Sequence, residues 1–343
     1  MEACLDIYQK FQESKIDSLE INSVAALVMG GRSSEVQRML DSLRVKATSS
    51  FELAFNTACS LIERKKYTDA EQLLLSGRRI GQEILMEDNL PDDEIEIELS
   101  PIAVQLAYVQ QLLGRKRDAI EAYADIIKRN MADESSIAVA MNNLVSLKGP
   151  KDVSDSVRKL DRLKEKEAQG FFLARGLDLK LSAKEKEAIY ANRVVLLLHA
   201  NKINQAQELV SRLPDMFPES VISVLLQVAL LMGENKAGRA EEILAQFAAD
   251  SLAKILDIQH MPATVATLVS LKERAGDIDG VTAVFDFATK WWSNVTTEGN
   301  KLNIIMQEVA SFKLRHGKEE DAAQQYEELI KSQESIRGHQ ESE

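Results

Sequence analysis

Residues 55–75, FNTACSLIERKKYTDAEQLLL, decide the fold class because they have the pattern of a helical hairpin. An apolar first segment ends at the polar turn Arg64-Lys65-Lys66, and a second apolar stripe begins at Ala70. In a tetratricopeptide hairpin, a small residue near the start of the second helix lets that helix pack tightly on the first, and further apolar residues follow four and seven positions later. The stretch therefore predicts such a hairpin with Ala70 as its anchor.

The same pattern recurs along the chain, each time after a polar turn. The eight triples are Val36/Leu40/Leu43, Ala70/Leu74/Gly77, Ala119/Tyr123/Ile126, Val153/Val157/Leu160, Ala206/Val210/Leu213, Ala240/Leu244/Phe247, Gly280/Val284/Phe287 and Ala322/Tyr326/Leu329. Three anchor spacings equal the 34-residue tetratricopeptide period, and the composition, with 5% aromatic residues and 6 prolines, favours helices. We predict an all-α solenoid of about eight degenerate tetratricopeptide-type hairpins forming a right-handed superhelix.

Two anchor spacings, of 49 and 53 residues, predict insertions between hairpins. Residues 86–100 hold seven acids and no base, which is typical of an acidic excursion. Residues 165–181 are glycine-containing and irregular, and Ser182 with Glu185 then predicts a capping box that restarts a helix. The predicted organisation is N-terminal repeats over residues 1–164, the irregular insertion, C-terminal repeats over 182–333, and a disordered tail over 334–343.

The start of the chain lacks a partner helix. Cys4, Tyr8 and Phe11 have the spacing of a second helix, yet no first helix precedes them. Since an unpaired repeat would expose its apolar stripe, we expect the chain to begin within a hairpin of a longer protein.

Composition predicts a cytoplasmic protein without membrane insertion. The longest uncharged stretch, residues 221–233, is 13 residues long, against the roughly 20 that a membrane span needs. The N-terminus has acids where a secretory signal needs basic residues, and Cys4 and Cys59 lack metal-site or disulfide-framework spacing. The net charge of −12 argues against nucleic-acid binding over the whole surface.

Catalytic motifs are not found, so we predict that the protein is not an enzyme and has no cofactor, metal site or small-molecule substrate. The four histidines, His199, His260, His316 and His339, are scattered, and none has a second His or Cys at metal-ligand spacing. The aromatic pair Trp291-Trp292 favours a packing role for one ring, while the other ring faces a neighbouring repeat or a partner.

A concave groove lined by the first helices is the expected binding surface of a solenoid. The position fourteen places before each anchor is expected to face the groove. It holds Asn22, Asn56, Gln105 and Asn192 in four repeats, and Val139, Leu226, Ala266 and Glu308 in the others. A carboxamide at this position either hydrogen-bonds a bound peptide backbone or bonds within the protein, and the sequence leaves both roles open.

Two basic triplets lie at predicted hairpin turns. They are Arg64, Lys65 and Lys66, and Arg115, Lys116 and Arg117. Turns are exposed, so plain solvation explains these charges. Secondary contacts to phosphates are the alternative, and they would be weak and sensitive to salt.

Read as whole segments, the chain resembles the seventy-two-kilodalton subunit family of the eukaryotic signal recognition particle. The segments that carry the resemblance are NTAC at residues 56–59, CLDIY at 4–8, AYVQQLLGR at 107–115, LKLSAKEKEAIYANRVVLLL at 179–198 and ASFKLRHGKEEDA at 310–322. The resemblance implies a non-catalytic scaffold in cotranslational targeting to the endoplasmic reticulum. It also implies binding to the sixty-eight-kilodalton subunit of the signal recognition particle through N-terminal repeats, and to particle RNA through a basic C-terminal tail that these residues do not include.

The alternative is a generic tetratricopeptide adaptor or co-chaperone that binds a peptide in its groove. A carboxylate clamp of that kind needs Lys and Asn one helical turn apart on a first helix. Only Asn142 occupies the clamp asparagine position, and Ala138 stands where the lysine would be. The sequence therefore disfavours a clamp.

Overall fold

A computed structural model of the protein describes residues 18–218, 220–251, 262–293 and 299–340. The predicted second helix with Cys4, Tyr8 and Phe11 lies outside the described residues, as does His260. Within the described ranges the chain forms nineteen α-helices and one short 3-10 turn at Ser33–Glu35. The helices are α1 (Leu19–Met29), α2 (Val36–Leu43), α3 (Phe51–Glu63), α4 (Tyr67–Glu87), α5 (Asp92–Glu98), α6 (Ser100–Leu112), α7 (Lys116–Arg129), α8 (Glu134–Lys148), α9 (Val153–Asp161), α10 (Arg175–Lys180), α11 (Ala183–His199), α12 (Ile203–Val210), α13 (Leu213–Met216), α14 (Val221–Gly233), α15 (Ala237–Ser251), α16 (Pro262–Ala275), α17 (Ile278–Ser293), α18 (Gly299–Arg315) and α19 (Glu319–Gln340).

The prediction of an all-α fold built from tetratricopeptide-type hairpins is confirmed. All eight predicted second helices are present, as α2, α4, α7, α9, α12, α15, α17 and α19. The chain divides into two compact units, Met1–Ala200 and Asn201–Glu343. The division falls in the turn between α11 and α12, and each of the other seven hairpins packs within one unit.

The anchors occupy a constant place in most second helices. Ala70, Ala119, Ala206 and Ala240 are each the fourth residue of their helix and are fully buried. A methyl group at this position lets the backbones of the two helices approach closely. The turns before these anchors contain the left-handed residues Lys65, Gly114, Asn201 and Asn235, and the glycine, at φ +81°, adopts this conformation without a steric penalty.

Two predicted anchors are wrong in register. In α17 the fourth residue is Val281, and it is buried, whereas Phe287 of the predicted triple is 60% exposed. Gly280 lies one residue too early, because Asp277 caps the helix by accepting a hydrogen bond from the Gly280 amide at 2.9 Å. The buried stripe is Val281, Phe285, Ala288 and Trp292.

In α9 the fourth residue is Ser156, which is fully buried, while the predicted anchor Val153 is only half-buried. Leu160 and Leu163 follow Ser156 at the expected intervals of four and seven residues, and both are buried. A search for apolar anchors passes over a serine, although its small side chain packs in the same way.

Both insertions are more ordered than the sequence indicates. The acidic segment starts inside α4 and includes α5, whose Ile95 is buried. In the second insertion, an antiparallel bridge joins Lys164 to Leu173, and α10 follows. The helix α19 continues through Gln340, whereas the sequence predicts a disordered tail from residue 334.

Candidate partner-binding groove

The corrected register turns four scattered carboxamides into a regular series. Fourteen residues before Ser156 lies Asn142, so every first helix of the first unit carries a carboxamide at the same position. We call this series the carboxamide ladder. Its members are Asn22 on α1, Asn56 on α3, Gln105 on α6, Asn142 on α8 and Asn192 on α11. In the second unit the equivalent residues are Leu226, Thr267 and Glu308.

Hydrogen bonds link parts of the ladder to neighbouring repeats. Asn56 donates from Nδ2 to the carbonyl oxygen of Ile21 at 3.2 Å, and Asn192 donates from Nδ2 to Oδ1 of Asn142 at 2.8 Å. Both bonds run between successive first helices, so these carboxamides help to fix the spacing of the repeats. The sequence leaves two roles open for the carboxamides, and Asn56 and Asn192 have the second, which is hydrogen bonding within the protein.

A relay of hydrogen bonds extends from Asn142 to the second helix α7. Asn142 Nδ2 donates to Asn143 Oδ1 at 3.4 Å, and Asn143 Nδ2 donates to the Tyr123 hydroxyl at 3.2 Å. The Tyr123 hydroxyl lies 3.4 Å from Gln111 Oε1, and burial raises the pKa of this tyrosine, which keeps the hydroxyl protonated as a donor. The relay fixes the orientation of the Asn142 and Asn143 carboxamides. Binding of a ligand therefore does not lose side-chain entropy by ordering them.

A cavity of about 220 Å³ opens beside the ladder between α6, α8 and α11. Its lining is Gln105, Tyr108, Val139, Asn142, Asn143, Lys184, Glu185, Ala188 and Ile189. Gln105 is half-buried at this surface, and no hydrogen bond from its side chain is seen in the described part of the chain, so its donor and acceptor atoms are open to a ligand. Burial raises the pKa of Tyr108, which leaves a neutral hydroxyl in the cavity.

Of the sequence-predicted groove residues, the structure brings Gln105 and Asn192 to the region around Asn142. Asn56 lies on α3, which is the first helix of the hairpin before α6, and Asn22 is exposed on α1. Sequence reasoning missed Asn143 and Tyr108, and it placed Asn142 at the clamp position and not in the carboxamide ladder. The signal that would have placed Asn142 in the ladder is Ser156, which is small and is the fourth residue of its helix.

The basic triplets lie at the turns as predicted. Arg64, Lys65 and Lys66 connect α3 to α4, Arg115 to Arg117 include the start of α7, and all six side chains are exposed. Arg115 forms an ion pair with Glu71 one turn inside α4, so the two turns are neighbours on one edge of the unit. Among the described residues, the other five cations have no ion pair.

Chemistry of other kinds has little support in the described residues. No group of three or more His, Cys, Asp or Glu side chains there is arranged to hold a metal ion. Burial, with Glu63 and Glu185 nearby, raises the pKa of the Cys59 thiol to about 12, so it is not a nucleophile at neutral pH. No described helix has the length and apolar character to span a membrane. Trp292 is buried and Trp291 is half-buried against it.

Comparison with curated proteins finds relatives along nearly the whole chain. The signal recognition particle subunits SRP72 of Canis lupus familiaris and Homo sapiens are each 26% identical over 358 residues, which cover 96% of this chain and 52% of the relative. The Dictyostelium discoideum subunit SRP72 is 26% identical over 370 residues. This chain is a homologue of the SRP72 subunits. It spans about half the length of the curated SRP72 relatives that it matches, and no protein-family model matches it.

Solved structures agree with the fold. The quorum sensor NprR from B. thuringiensis, in its apo form, has a TM-score of 0.63 at 11% identity, covering 96% of this chain and 92% of that one. A Rap protein complexed with competence and sporulation factor has a TM-score of 0.55 at 11% identity, covering 97% of each chain. At such low identity these likenesses concern the fold alone.

Proposed function

We propose that the chain is a non-catalytic scaffold of the signal recognition particle that acts in cotranslational targeting to the endoplasmic reticulum. Homology to SRP72 over 96% of the chain is the observation that carries the proposal. A scaffold role agrees with a fold made of stacked hairpins and with binding chemistry concentrated in a groove. The proposed location is the cytoplasm, with recruitment to the endoplasmic reticulum through the particle.

The proposed partner is the sixty-eight-kilodalton subunit of the particle, which would place a peptide segment in the groove of the first unit. The carboxamide ladder supports this assignment because carboxamides both donate to and accept from a peptide backbone. Gln105, Tyr108 and the relay around Asn142 supply these groups at the cavity. The two basic turns would add secondary contacts to the phosphates of particle RNA, whose main binding segment in the family is the C-terminal tail.

The test is affinity purification of the tagged protein from cytosol, with identification of the bound proteins and RNA. Recovery of the sixty-eight-kilodalton subunit and particle RNA is expected. In a second arm, Gln105→Ala should reduce recovery of that subunit, because the variant removes an open carboxamide without breaking a hydrogen bond. The matched control is Gln72→Ala on the exposed face of α4. Recovery of heat-shock chaperones without particle components would refute the proposal.

The generic adaptor is the weaker candidate. The similarity is to particle subunits, and in the register corrected at Ser156 the clamp asparagine position of α8 holds Val145, which is buried. A buried valine has no group that could hold a carboxylate.

A further inference from the structure

A crevice recurs where two successive second helices flank the first helix between them. One such cavity, of about 310 Å³, lies between α4 and α7, with α6 as its floor. Another, of about 340 Å³, lies between α17 and α19 in the second unit, with α18 as its floor. No residue of the carboxamide ladder lines either cavity, so both are separate from the groove described above.

The crevice between α17 and α19 contains three lysines, and we call it the lysine crevice. Lys290 comes from α17, Lys313 from α18 and Lys318 from the turn before α19, whereas Asp286 is the one carboxylate among the described residues that line it. The acids at residues 319–321 follow Lys318 but are exposed and do not line the cavity. None of the three lysines forms an ion pair within the described part of the chain.

The crevice between α4 and α7 has the same architecture, but its cations are neutralised within the protein. Arg78 Nη2 lies 3.3 Å from Glu96 Oε1, and Arg129 Nε lies 2.8 Å from Asp125 Oδ2. The unpaired lysines are therefore a property of the last repeat and not a consequence of the fold.

The repeat before the lysine crevice offers a direct comparison for Lys313. Lys272 of α16 and Lys313 of α18 each stand nine positions before the anchor of the following second helix. Lys272 Nζ donates to Glu241 Oε1 at 3.4 Å and to Asp277 Oδ2 at 3.0 Å. Two carboxylates thus neutralise the earlier lysine.

The lysine crevice has no acid at either of the corresponding positions. Glu241 directly follows the anchor of its second helix, and the corresponding residue of α17 is Thr282. Asp277 stands four positions before its anchor, and the corresponding residue before α19 is Lys318. One acid is replaced by a neutral residue and the other by a cation, so the positive charge at Lys313 is left for a ligand.

Contacts within the last hairpin hold two of the lysines at the crevice. The Lys318 amide donates to the carbonyl oxygen of Lys313 at 2.9 Å, and Lys313 Nζ donates to Gln325 Oε1 at 2.9 Å. Beneath them lie Phe285 and Phe312, which are both buried and have ring centres 5.6 Å apart. An apolar floor lowers the effective dielectric constant, which strengthens the attraction of an anion to the lysines.

We propose that the lysine crevice binds a phosphomonoester group, carried by a phosphoserine or phosphothreonine side chain of a partner protein. Such a group has a charge of about −1.5 to −2 at neutral pH and three strong acceptor oxygens, which three ammonium groups match. A carboxylate, with a single charge, would leave part of the positive charge unpaired. The cavity of about 340 Å³ lies within the range of roughly 300–1,000 Å³ that is typical of ligand sites.

Confinement of the charge to one crevice favours a single phosphate over a nucleic acid. Binding to RNA takes several cations placed along a series of phosphates, each of which carries one charge. The positive charge does not continue at the corresponding position of the preceding repeat, because Lys272 is neutralised there.

The test measures binding of the full-length chain to two peptide libraries of random sequence, which differ only in a central phosphoserine or serine. The parent protein should be retained several-fold more strongly by the phosphoserine library, and Lys290→Gln/Lys318→Gln should lose that preference. The matched control is Lys202→Gln/Arg274→Gln, which makes the same change in net charge at exposed positions of the second unit. Equal retention of the parent by both libraries, or an equal loss in the control, would overturn the site.

A second variant tests the lysine crevice by adding a charge. Thr282→Glu places a carboxylate at the position that Glu241 occupies one repeat earlier, so it should pair with Lys313 and weaken retention by the phosphoserine library several-fold. Because Thr282 is exposed, the Tm measured by circular dichroism should not fall. Thr282→Gln has the same size without the charge and should bind like the parent. Undiminished binding by Thr282→Glu would contradict the proposed site.

Competition identifies the source of the phosphate. The phosphoserine library should displace a bound phosphopeptide at a lower concentration than inorganic phosphate does, because peptide residues beside the phosphate add contacts to the apolar floor. Equal potency of inorganic phosphate would show that the ligand is a small anion. Tighter binding of duplex RNA, lost in Lys290→Gln/Lys318→Gln, would show a nucleic-acid contact, and either result would refute the phosphorylated partner. Binding at this crevice does not require the partner proposed for the first unit.

Discussion

Two helical glycines, Gly81 in the interior of α4 and Gly238 in the first turn of α15, illustrate how close contact, and not backbone preference, determines the residue at a packed position. A Cβ atom added to Gly81 of α4 would lie 2.5 Å from Leu99 Cδ2 and 3.1 Å from Phe51 Cγ, and Leu99 is itself buried. A Cβ atom added to Gly238 of α15 would meet nothing within 4 Å. The same substitution should therefore have opposite effects at the two positions.

We expect Gly81→Ala to lower the Tm and Gly238→Ala to raise it, in thermal unfolding followed by circular dichroism. Alanine gains about 1 kcal/mol of helix propensity over glycine, but overpacking a core costs roughly 1–3 kcal/mol, so the net change at Gly81 is destabilising. At Gly238 only the gain of about 0.5–1 kcal/mol applies. A rise in Tm for both variants would show that Leu99 and Phe51 move aside without cost.

Arg193 of α11 is a buried charge that depends on two partners. Its side chain is 8% exposed, its Nη1 lies 2.7 Å from Asp161 Oδ1, and its guanidinium lies 4.3 Å from the centre of the Phe171 ring. Burial lowers the pKa of Arg193, and Asp161 opposes that effect by favouring the charged form. The contact fixes the second insertion, which carries Phe171, on the end of the first unit.

We expect Asp161→Ala to cost more stability than Arg193→Met. Removing the carboxylate leaves an unpaired buried cation, a loss of about 3 kcal/mol, whereas an apolar side chain of similar length at position 193 costs roughly 1 kcal/mol, since the half-exposed Asp161 returns to water. Urea unfolding of each variant and of the double variant measures this. The double variant should be more stable than Asp161→Ala alone, and the opposite order would contradict the argument.

At the element scale, the N-terminus of α8 depends on one carboxylate. Asp133 accepts hydrogen bonds from the amides of Ser135 at 2.9 Å and Ser136 at 3.1 Å, and from the Ser100 hydroxyl at 2.9 Å. Burial alone would raise its pKa, but these hydrogen bonds together hold the pKa below the ordinary value of 3.8. The cap also links α8 to α6, which positions the cavity wall.

Asp133→Ala should destabilise the protein by about 1–2 kcal/mol at neutral pH, as loss of an N-cap does. Because the folded pKa lies below the unfolded one, the stabilisation by the charge is present above about pH 4 and is lost as the pH falls through the folded pKa. The stability gap between the wild type and Asp133→Asn should therefore narrow between pH 7 and pH 3 in urea unfolding. A gap independent of pH would mean that the charge contributes nothing to the cap.

The elements that the sequence predicts well are those with strong periodicity and a small anchor, such as α4, α7 and α15. The register failed at α9 and α17, where the buried small residue is Ser156 or where an aspartate cap places Gly280 one position too early. That failure concealed Asn142 and so the regularity of the ladder. The position of the second insertion follows from the anchor spacing, but its structure could not be predicted, because the packing of Phe171 on Arg193 joins residues on different elements.

At the scale of the whole molecule, the two units differ in the chemistry of their first helices. All five ladder carboxamides lie in the first unit, while the matching positions of the second unit hold Leu226, Thr267 and Glu308. Leu226 is buried, so it serves packing within its own unit. Peptide recognition is therefore expected from the first unit. Charge is also distributed unevenly in the first unit, because its two basic turns belong to a chain whose net charge is −12.

The basic turns should bind nucleic-acid phosphates weakly and without sequence preference. Large exposed apolar side chains, which anchor protein interfaces, are not found at either turn in the described residues, whereas phosphate contacts need only cations. The variant Lys65→Gln/Lys66→Gln/Lys116→Gln/Arg117→Gln keeps the Arg115 pair with Glu71 and removes four cations. With duplex RNA, the slope of log K against log salt should become shallower by about 3, at roughly 0.7–0.9 per contact.

The matched control, Lys46→Gln/Arg79→Gln/Lys128→Gln/Arg162→Gln, makes the same change in net charge at exposed positions away from these turns. If the control weakens binding as much as the turn variant, net charge and not the basic edge determines the affinity.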